Sequence, residues 1–229
     1  MNSEALKKAV GYKAASFIEN GMVVGLGTGS TAKYFIEKLI ERQKTENLSI
    51  KVVASSTRSL ELAKEGGLPI LDINTITSID ITVDGADEID SEKRMIKGGG
   101  GALLREKIVA SMSRELIIII DESKKSSLLG HKKLPVEVVP FACQSTLHKI
   151  QKCGWTAYFR KECEGDTKYY VTDNSNYIID IYFSHPLEHP EKEHAILKEI
   201  PGVVETGFFF HLAGRIITSY HDGQVIVTP

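Results

Sequence analysis

The sequence predicts an α/β protein: a mostly parallel sheet flanked by helices (Rossmann-like), with a smaller ferredoxin-like α+β domain. Three observations carry this expectation. Short apolar runs alternate with amphipathic segments from Met22 to Ile120, the grammar of strands crossed over by helices. Leu116 to Ile120 is an unbroken apolar run, as expected of a strand covered on both faces. Beyond Gly130 the order changes to β-α-β-β-α-β, a small antiparallel sheet carrying two helices.

Taken in order, Ser3 to Glu19 reads as a helix, with Ser3 as cap and Leu6, Val10, Ala14 and Phe17 as its apolar stripe. Met22 to Leu26 is a short strand, and a glycine turn leads into a helix with Ala32, Phe35, Ile36 and Leu39 on one face. Strands are expected at Ile50–Ala54, Pro69–Asp72 and Ile79–Val83, with a helix at Thr57–Glu65. A helix over Ala102–Met112 would turn Leu104, Ile108 and Met112 to one side. In the second part, strands are expected at Leu134–Val139, Trp155–Arg160, Tyr169–Thr172 and Tyr177–Phe183, the last two joined through Asp173-Asn174-Ser175-Asn176. Helices fall at Cys143–Lys152 and at Glu191–Ile200, with Pro190 at the start of the second, and Val203–Glu205 closes the unit. Arg215–Tyr220 and Gln224–Thr228 are expected to return to the first domain. The expected division is therefore 1–130 with 207–229 as an α/β domain, and 131–206 as a small α+β domain.

Composition narrows the function classes. With 229 residues, 42% of them apolar and 25% charged, the chain can bury a substantial core. A net charge of −2 supplies no basic excess for a nucleic-acid backbone. No apolar run reaches membrane-spanning length, and the amphipathic amino terminus lacks a signal peptide's apolar core. Cys143, Cys153 and Cys163 are an odd set without C-x-x-C spacing, which fits reduced thiols that fill space in a cytoplasmic protein. His185, His189 and His194 span two prolines and lack the spacing that metal ligands need. Trp155 and Phe208-Phe209-Phe210 read as core or subunit interface.

The chemistry concentrates in Val83 to Lys107. Asp84 and Asp87 follow an apolar strand, and Lys97 enters the glycine run Gly98 to Gly101 ahead of a helix that carries Glu106. Adjacent glycines cost chain entropy and pack no side chains; a folded domain accepts them where backbone must approach a ligand. A second glycine loop, Gly27-Thr28-Gly29-Ser30-Thr31, lies between a strand and a helix, where free N–H groups and the helix dipole favour an anion. Its spacing fits neither a dinucleotide fingerprint nor a Walker loop. Hydroxyls in those places suit a small phosphate monoester, although a plain helix cap accounts for the loop taken alone. Thr28, Asp84 and Asp121 all fall at carboxyl ends of expected strands, where ligands of such sheets bind. In isolation Glu106 reads as half of a surface ion pair, and Asp84 with Asp87 as a turn and a cap.

The ordered set G-x-G-T-G-S-T-A, V-D-G-A-D-E, K-G-G-G-G-A-L-x-R-E-K, L-P-V-E-V-x-P, V-T-D-N-x-N and I-P-G-V-V-E-T-G resembles the A-type ribose-5-phosphate isomerases. The resemblance implies interconversion of D-ribose 5-phosphate and D-ribulose 5-phosphate in the pentose phosphate pathway, with no metal or organic cofactor. It implies Glu106 as general base, with Asp84, Asp87 and Lys97 around the reacting oxygens. Thr28, Gly29, Ser30, Thr31, Gly85, Ala86, Gly98, Gly99, Gly100 and Lys124 would complete the sugar-phosphate site. It also implies a homo-oligomer, dimer or tetramer, with no nucleic-acid or membrane partner. A carboxylate suits a base that takes and returns one proton; the helix amino terminus, Arg105 and Lys107 favour its ionised form, and desolvation opposes it. Lys97 and aligned N–H donors complement an enediolate. Either aspartate could move the anomeric proton in ring opening. A non-catalytic sugar-phosphate sensor would need no base at Glu106 and would carry a helix-turn-helix, for which no segment is spare. An acyl-CoA transferase with a glutamate nucleophile would need a second catalytic half.

Overall fold

The structure, a computed structural model, describes residues 2–163, 165 and 167–229. In chain order the elements are α1 (Ser3–Ala15), β1 (Val23–Leu26), α2 (Ser30–Glu46), β2 (Lys51–Ala54) and α3 (Thr57–Gly66). Strand β3 (Ile79–Asp84) follows, then β4 (Glu88–Ile89), β5 (Met95–Ile96), α4 (Leu103–Ser111) and β6 (Ser113–Asp121). Next come β7 (Leu134–Val138), α5 (Cys143–Lys152), β8 (Thr156–Phe159), β9 (Tyr177–Tyr182), α6 (Pro190–Lys198) and β10 (Val203–Thr206). The chain ends with β11 (Phe208–Phe209), β12 (Ala213–Ser219) and β13 (Val225–Thr228). Two compact units result: Met1–Ala86 with Arg105–Lys125 and His211–Pro229, and Asp87–Leu104 with Ser126–Phe210.

The first unit is built on a six-stranded sheet in the order β13-β12-β6-β3-β1-β2, parallel except for the edge strand β13. The final two strands return to this sheet as the sequence predicts. From β1 the chain runs first to β2 on one side and then to β3 on the other, so the topology switches direction between β1 and β3. Ala32, Phe35, Ile36 and Leu39 of α2 are all buried; each of the three large ones contributes about 1.5–3 kcal/mol of apolar burial. Leu116 to Ile120 of β6 are buried throughout, at 2% exposure or less, which is why that run shows no alternation.

Several expected elements come out differently. Asn2, rather than Ser3, caps α1 by accepting the Ala5 N–H, and the helix stops at Ala15. Pro69–Asp72 is no strand: it makes one parallel bridge, Val52 to Ile70, at the outer side of β2. Proline has no N–H to continue a ladder. On α4 the buried stripe is Leu103, Glu106, Val109 and Ala110, while Ile108 is 47% exposed. Gly25 in β1 leaves space that neighbours use: a Cβ there would lie 1.9 Å from Thr82 Oγ1 and 3.0 Å from Val109 Cγ1 of the buried α4 face.

The second unit holds a four-stranded sheet, β10-β7-β9-β8, with every neighbour antiparallel and the β-α-β-β-α-β order expected. Tyr169–Thr172 forms only isolated bridges. Its turn folds instead onto Glu137, whose Oε1 accepts from Thr172, Asn174 and Asn176. The stretch 87–104, placed with the first domain by sequence, packs in this unit. There β5 pairs with both β4 and β11, and buried Glu88 accepts the N–H groups of Gly130, His131 and Lys132. Phe208 and Phe209 are core, and Trp155 meets Phe183 edge-on. Cys143 is half-buried, but Cys153 and Cys163 are exposed and fill no interior space. His194 is engaged with Thr206 and His185 with Ser184. Among the described residues, no helix is long and apolar enough to cross a membrane.

In the first sheet, Arg215 of β12 grips Glu115 of β6 through two contacts of 2.5 and 2.6 Å. Hydrogen bonding from Arg215 holds the Glu115 carboxyl below its ordinary value. A depressed carboxyl stabilises the fold above its unfolded pKa, and that contribution is lost as pH falls through the folded value. Glu115→Gln should therefore cost about 1 kcal/mol at pH 7, and the gap to the parent should close in acid. Urea melts at pH 7 and at about pH 3.5, below the usual glutamate range, check this; a gap that widens in acid would contradict it.

Candidate active site

Two sets of residues carry the predicted site, one in each unit. In the first unit, they gather where the sheet changes direction. The chain leaves β1 through Gly27 and Thr28 while β3 ends at Asp84, both at the carboxyl edge. Asp84 is 2% exposed. Its Oδ1 accepts the Thr28 N–H at 3.0 Å and the Gly85 N–H at 2.8 Å. Gly27 makes this possible, because a Cβ there would lie 2.3 Å from Asp84 Oδ1 and 2.5 Å from the Val83 carbonyl. Buried carboxylates are tolerated where N–H donors meet them.

The loop that follows is fixed from below. The Thr28 hydroxyl meets Ser55 Oγ at 2.8 Å, Ser55 donates to the Leu26 carbonyl, and Ser59 donates to the Gly27 carbonyl. Gly29, with φ +111°, stands at the cap of α2 and brings no side chain to its first turn. The loop caps α2 through Gly29, with no side-chain cap hydrogen bond. Ser30 and Thr31 open the helix itself, and Gly29 and Ser30 are exposed, so the amino end of a 17-residue helix faces outward. That is an arrangement suited to an anion.

Glu106 sits in the first turn of α4 and is 4% exposed, which rules out the surface ion pair. Asp121, at the carboxyl end of β6, is spent locally: it accepts the Ser123 N–H and starts a short 3-10 turn through Lys124. Lys124 is half-buried in that turn, and Gly85 and Ala86 are half-buried after β3.

In the second unit, Lys97 follows β5 and is 2% exposed. Its N–H donates to the Gly207 carbonyl at 2.8 Å, and its ammonium lies 5.3 Å from the centre of the Phe209 ring. Gly207 has no room for a side chain, since a Cβ would come 2.4 Å from the Lys97 carbonyl. The glycine run then turns sharply. Gly98 and Gly101 hold φ of +95° and +82°, in the left-handed region that other residues rarely adopt. Gly99 and Gly100 are exposed, and the Gly99 N–H donates to Asp87 Oδ2 at 2.7 Å. Asp87 is thus already an acceptor for the run that begins eleven residues beyond it.

Sequence reasoning named these backbone and carboxylate positions but missed their supports. Ser55, Ser59 and Gly207 hold the site residues in place, yet only a three-dimensional neighbour makes an isolated serine or glycine informative.

A family model described as ribose 5-phosphate isomerase A (phosphoriboisomerase A) matches residues 51–223. The ribose-5-phosphate isomerase A of Protochlamydia amoebophila (strain UWE25) is 48% identical over 218 residues, covering 95% of this chain and 93% of that one. That of Bacillus cereus (strain ATCC 10987 / NRS 248) is also 48% identical, covering 95% and 97%. Among solved structures, the ribose 5-phosphate isomerase from Plasmodium falciparum superposes with a TM-score of 0.93 at 36% identity, over 98% of each chain. A D-ribose-5-phosphate isomerase in complex with phospho-erythronic acid gives 0.93 at 37% identity, over 100% of this chain and 99% of that one. With its motifs in order and its fold matched over nearly the whole chain, this chain belongs to the ribose 5-phosphate isomerase A family.

Proposed function

We propose that this protein interconverts D-ribose 5-phosphate and D-ribulose 5-phosphate through an enediolate, with Glu106 as the base. The observation that carries the mechanism is the burial of Glu106 in the first turn of α4, at 4% exposure. A carboxylate kept from bulk water returns the proton it has taken before solvent can replace it. In the forward direction Glu106 removes the proton from C2 of the open-chain aldose, and the electron pair moves toward O1. The proton then returns to C1 while the O2 hydroxyl proton passes to O1, so that O1 ends as a hydroxyl and O2 as the ketone oxygen. Hydrogen moves as a proton within one molecule, so the reaction calls for no redox cofactor.

The other roles follow from charge and placement. Lys97, buried and cationic, stabilises the oxyanion of the enediolate together with the Gly98 and Gly100 amides, the Gly99 amide being held by Asp87. Asp84 and Asp87 supply the acceptor for the anomeric proton when the furanose ring opens. Thr28 to Thr31 and Lys124 take the phosphate, the first at a helix amino terminus, the second as a point charge. Gly85 and Ala86 bring backbone beside the sugar. The relative solved with phospho-erythronic acid supports this reading, because that ligand joins a phosphate to a planar, negatively charged carboxylate much like an enediolate.

The second unit supports a homo-oligomer, dimer or tetramer. Tyr158 and Tyr182 are 60% and 47% exposed with rings 6.5 Å apart, and Phe141 is 88% exposed. Apolar surface of this kind marks association sites. The free thiols and the metabolic family support a cytoplasmic location.

In deuterated water with chelator present, the wild type should convert ribose 5-phosphate to ketose that keeps part of the original C2 hydrogen at C1, with deuterium in the remainder; complete replacement by deuterium would contradict a shielded base. Glu106→Gln should lose about 10³-fold or more in kcat while its affinity for phospho-erythronic acid changes little. Binding without exchange or product in the wild type would make the pocket a sensor. Lys97→Ala should lower kcat by about 10²-fold and raise KM far less; a pure KM effect would confine Lys97 to ground-state binding. Light scattering should give a mass of two or four chains, reduced in Tyr158→Glu; a wild-type monomer at micromolar concentration would remove the oligomer.

A further inference from the structure

The glycine run is held from its carbonyl side by a residue that follows β8. Arg160 donates from Nη1 to the carbonyl of Gly98 at 3.1 Å and to that of Gly99 at 3.0 Å. Its remaining fork is occupied by Asp180 of β9, at 3.0 Å through Nε and 2.5 Å through Nη2. Asp180 is 4% exposed and also receives the Lys133 ammonium at 2.7 Å. The paired fork leaves the guanidinium one orientation, which a lysine could not reproduce. Beside it, Tyr170 gives its hydroxyl to the Gly100 carbonyl at 3.1 Å, with its ring 5.8 Å from the guanidinium carbon.

In a trans peptide the C=O and N–H point in opposite directions, so fixing one fixes the other. The peptide joining Gly98 to Gly99 has its carbonyl on Arg160 and its N–H on Asp87. The peptide joining Gly100 to Gly101 has its carbonyl on Tyr170, and its N–H returns to the Gly98 carbonyl at 2.9 Å. The middle peptide, Gly99 to Gly100, takes its orientation from Arg160 through the Gly99 carbonyl. Without that hold the glycines, which have no side chain to restrict φ and ψ, could flip this plane at little cost.

We propose that Arg160 is a positioning residue for the isomerisation: it holds the Gly98 and Gly99 carbonyls so that the Gly100 N–H stays aimed at the charge developing on the substrate. Asp180 orients Arg160, and Tyr170 steadies the far end of the run. The proposal rests on the assignment of the glycine run to the substrate site. A donor held in place before the reaction acts on the transition state more than on the bound sugar.

The test compares wild type, Arg160→Ala and Tyr170→Phe in steady-state kinetics, with phospho-erythronic acid as inhibitor. Arg160→Ala should lose about 10²-fold in kcat, with KM for ribose 5-phosphate within about threefold. Its affinity for phospho-erythronic acid should fall in parallel with kcat/KM, and added guanidinium ion should restore part of kcat. Tyr170→Phe, which removes one surface hydroxyl, should lose several-fold in kcat with the melting temperature unchanged. If Arg160→Ala does not fold, Arg160→Lys decides by the same split, with kcat reduced and KM kept. A folded Arg160 variant with kcat and inhibitor affinity intact, or with only KM raised, overturns the proposal. Should the wild type fail to isomerise, or Glu106→Gln stay active, the underlying reading fails instead, so the two failures are distinguishable.

Discussion

The first unit depends on one carboxylate placed where its sheet changes direction. Asp84 ends β3 inside the protein and accepts two backbone N–H groups, one from its own chain neighbour and one from Thr28. A buried carboxylate is costly unless donors meet it, and here those donors belong to the backbone that leaves β1. The same contact that lowers the cost of the charge therefore fixes the start of the Thr28–Thr31 loop. Gly27 is required because the carboxylate occupies the space of its absent side chain. The loop, the amino end of α2 and the acid are one solution to one electrostatic problem.

In the second unit, acids do different work. Glu88, Asp180 and Glu137 are all buried, and each is met by several donors. Glu88 gathers the backbone after β6, Glu137 gathers the turn before β9, and Asp180 directs an arginine at the glycine run. None of them needs to react. Their worth lies in fixing irregular backbone that apolar packing cannot orient, since hydrogen bonds are directional and apolar contacts are not. A run of glycines has no side chains with which to hold itself, so its geometry must come from residues distant in sequence.

The division of labour between buried groups also explains which sequence signals were readable. The alternation of strands and helices, the buried run of β6 and the return of the last two strands were legible because periodicity reports burial directly. The site motifs were legible because glycines, hydroxyls and charged residues came clustered in Val83–Lys107 and Gly27–Thr31. The apolar face of α4 was misplaced because Ile108 looks like a core residue and Glu106 does not. The face that is buried, with Glu106 and Val109 on it, is set by what packs against the helix and not by its own apolar residues. Pro69–Asp72 looked like a strand because its side chains suit one, but Pro69 has no N–H to continue a ladder, and the segment makes a single bridge to β2.

The sequence by itself determined the fold class, most of the element order, the family and the residue types of the proposed site, because each is written in local pattern or in motifs of fixed spacing. Only the tertiary structure decided which unit the stretch 87–104 joins, which face of α4 is buried, and that Arg160 and Tyr170 hold the glycine carbonyls. Those outcomes turn on partners 60 or more residues away. Such contacts leave no periodic trace in the chain; they exist once the sheets have brought their ends together.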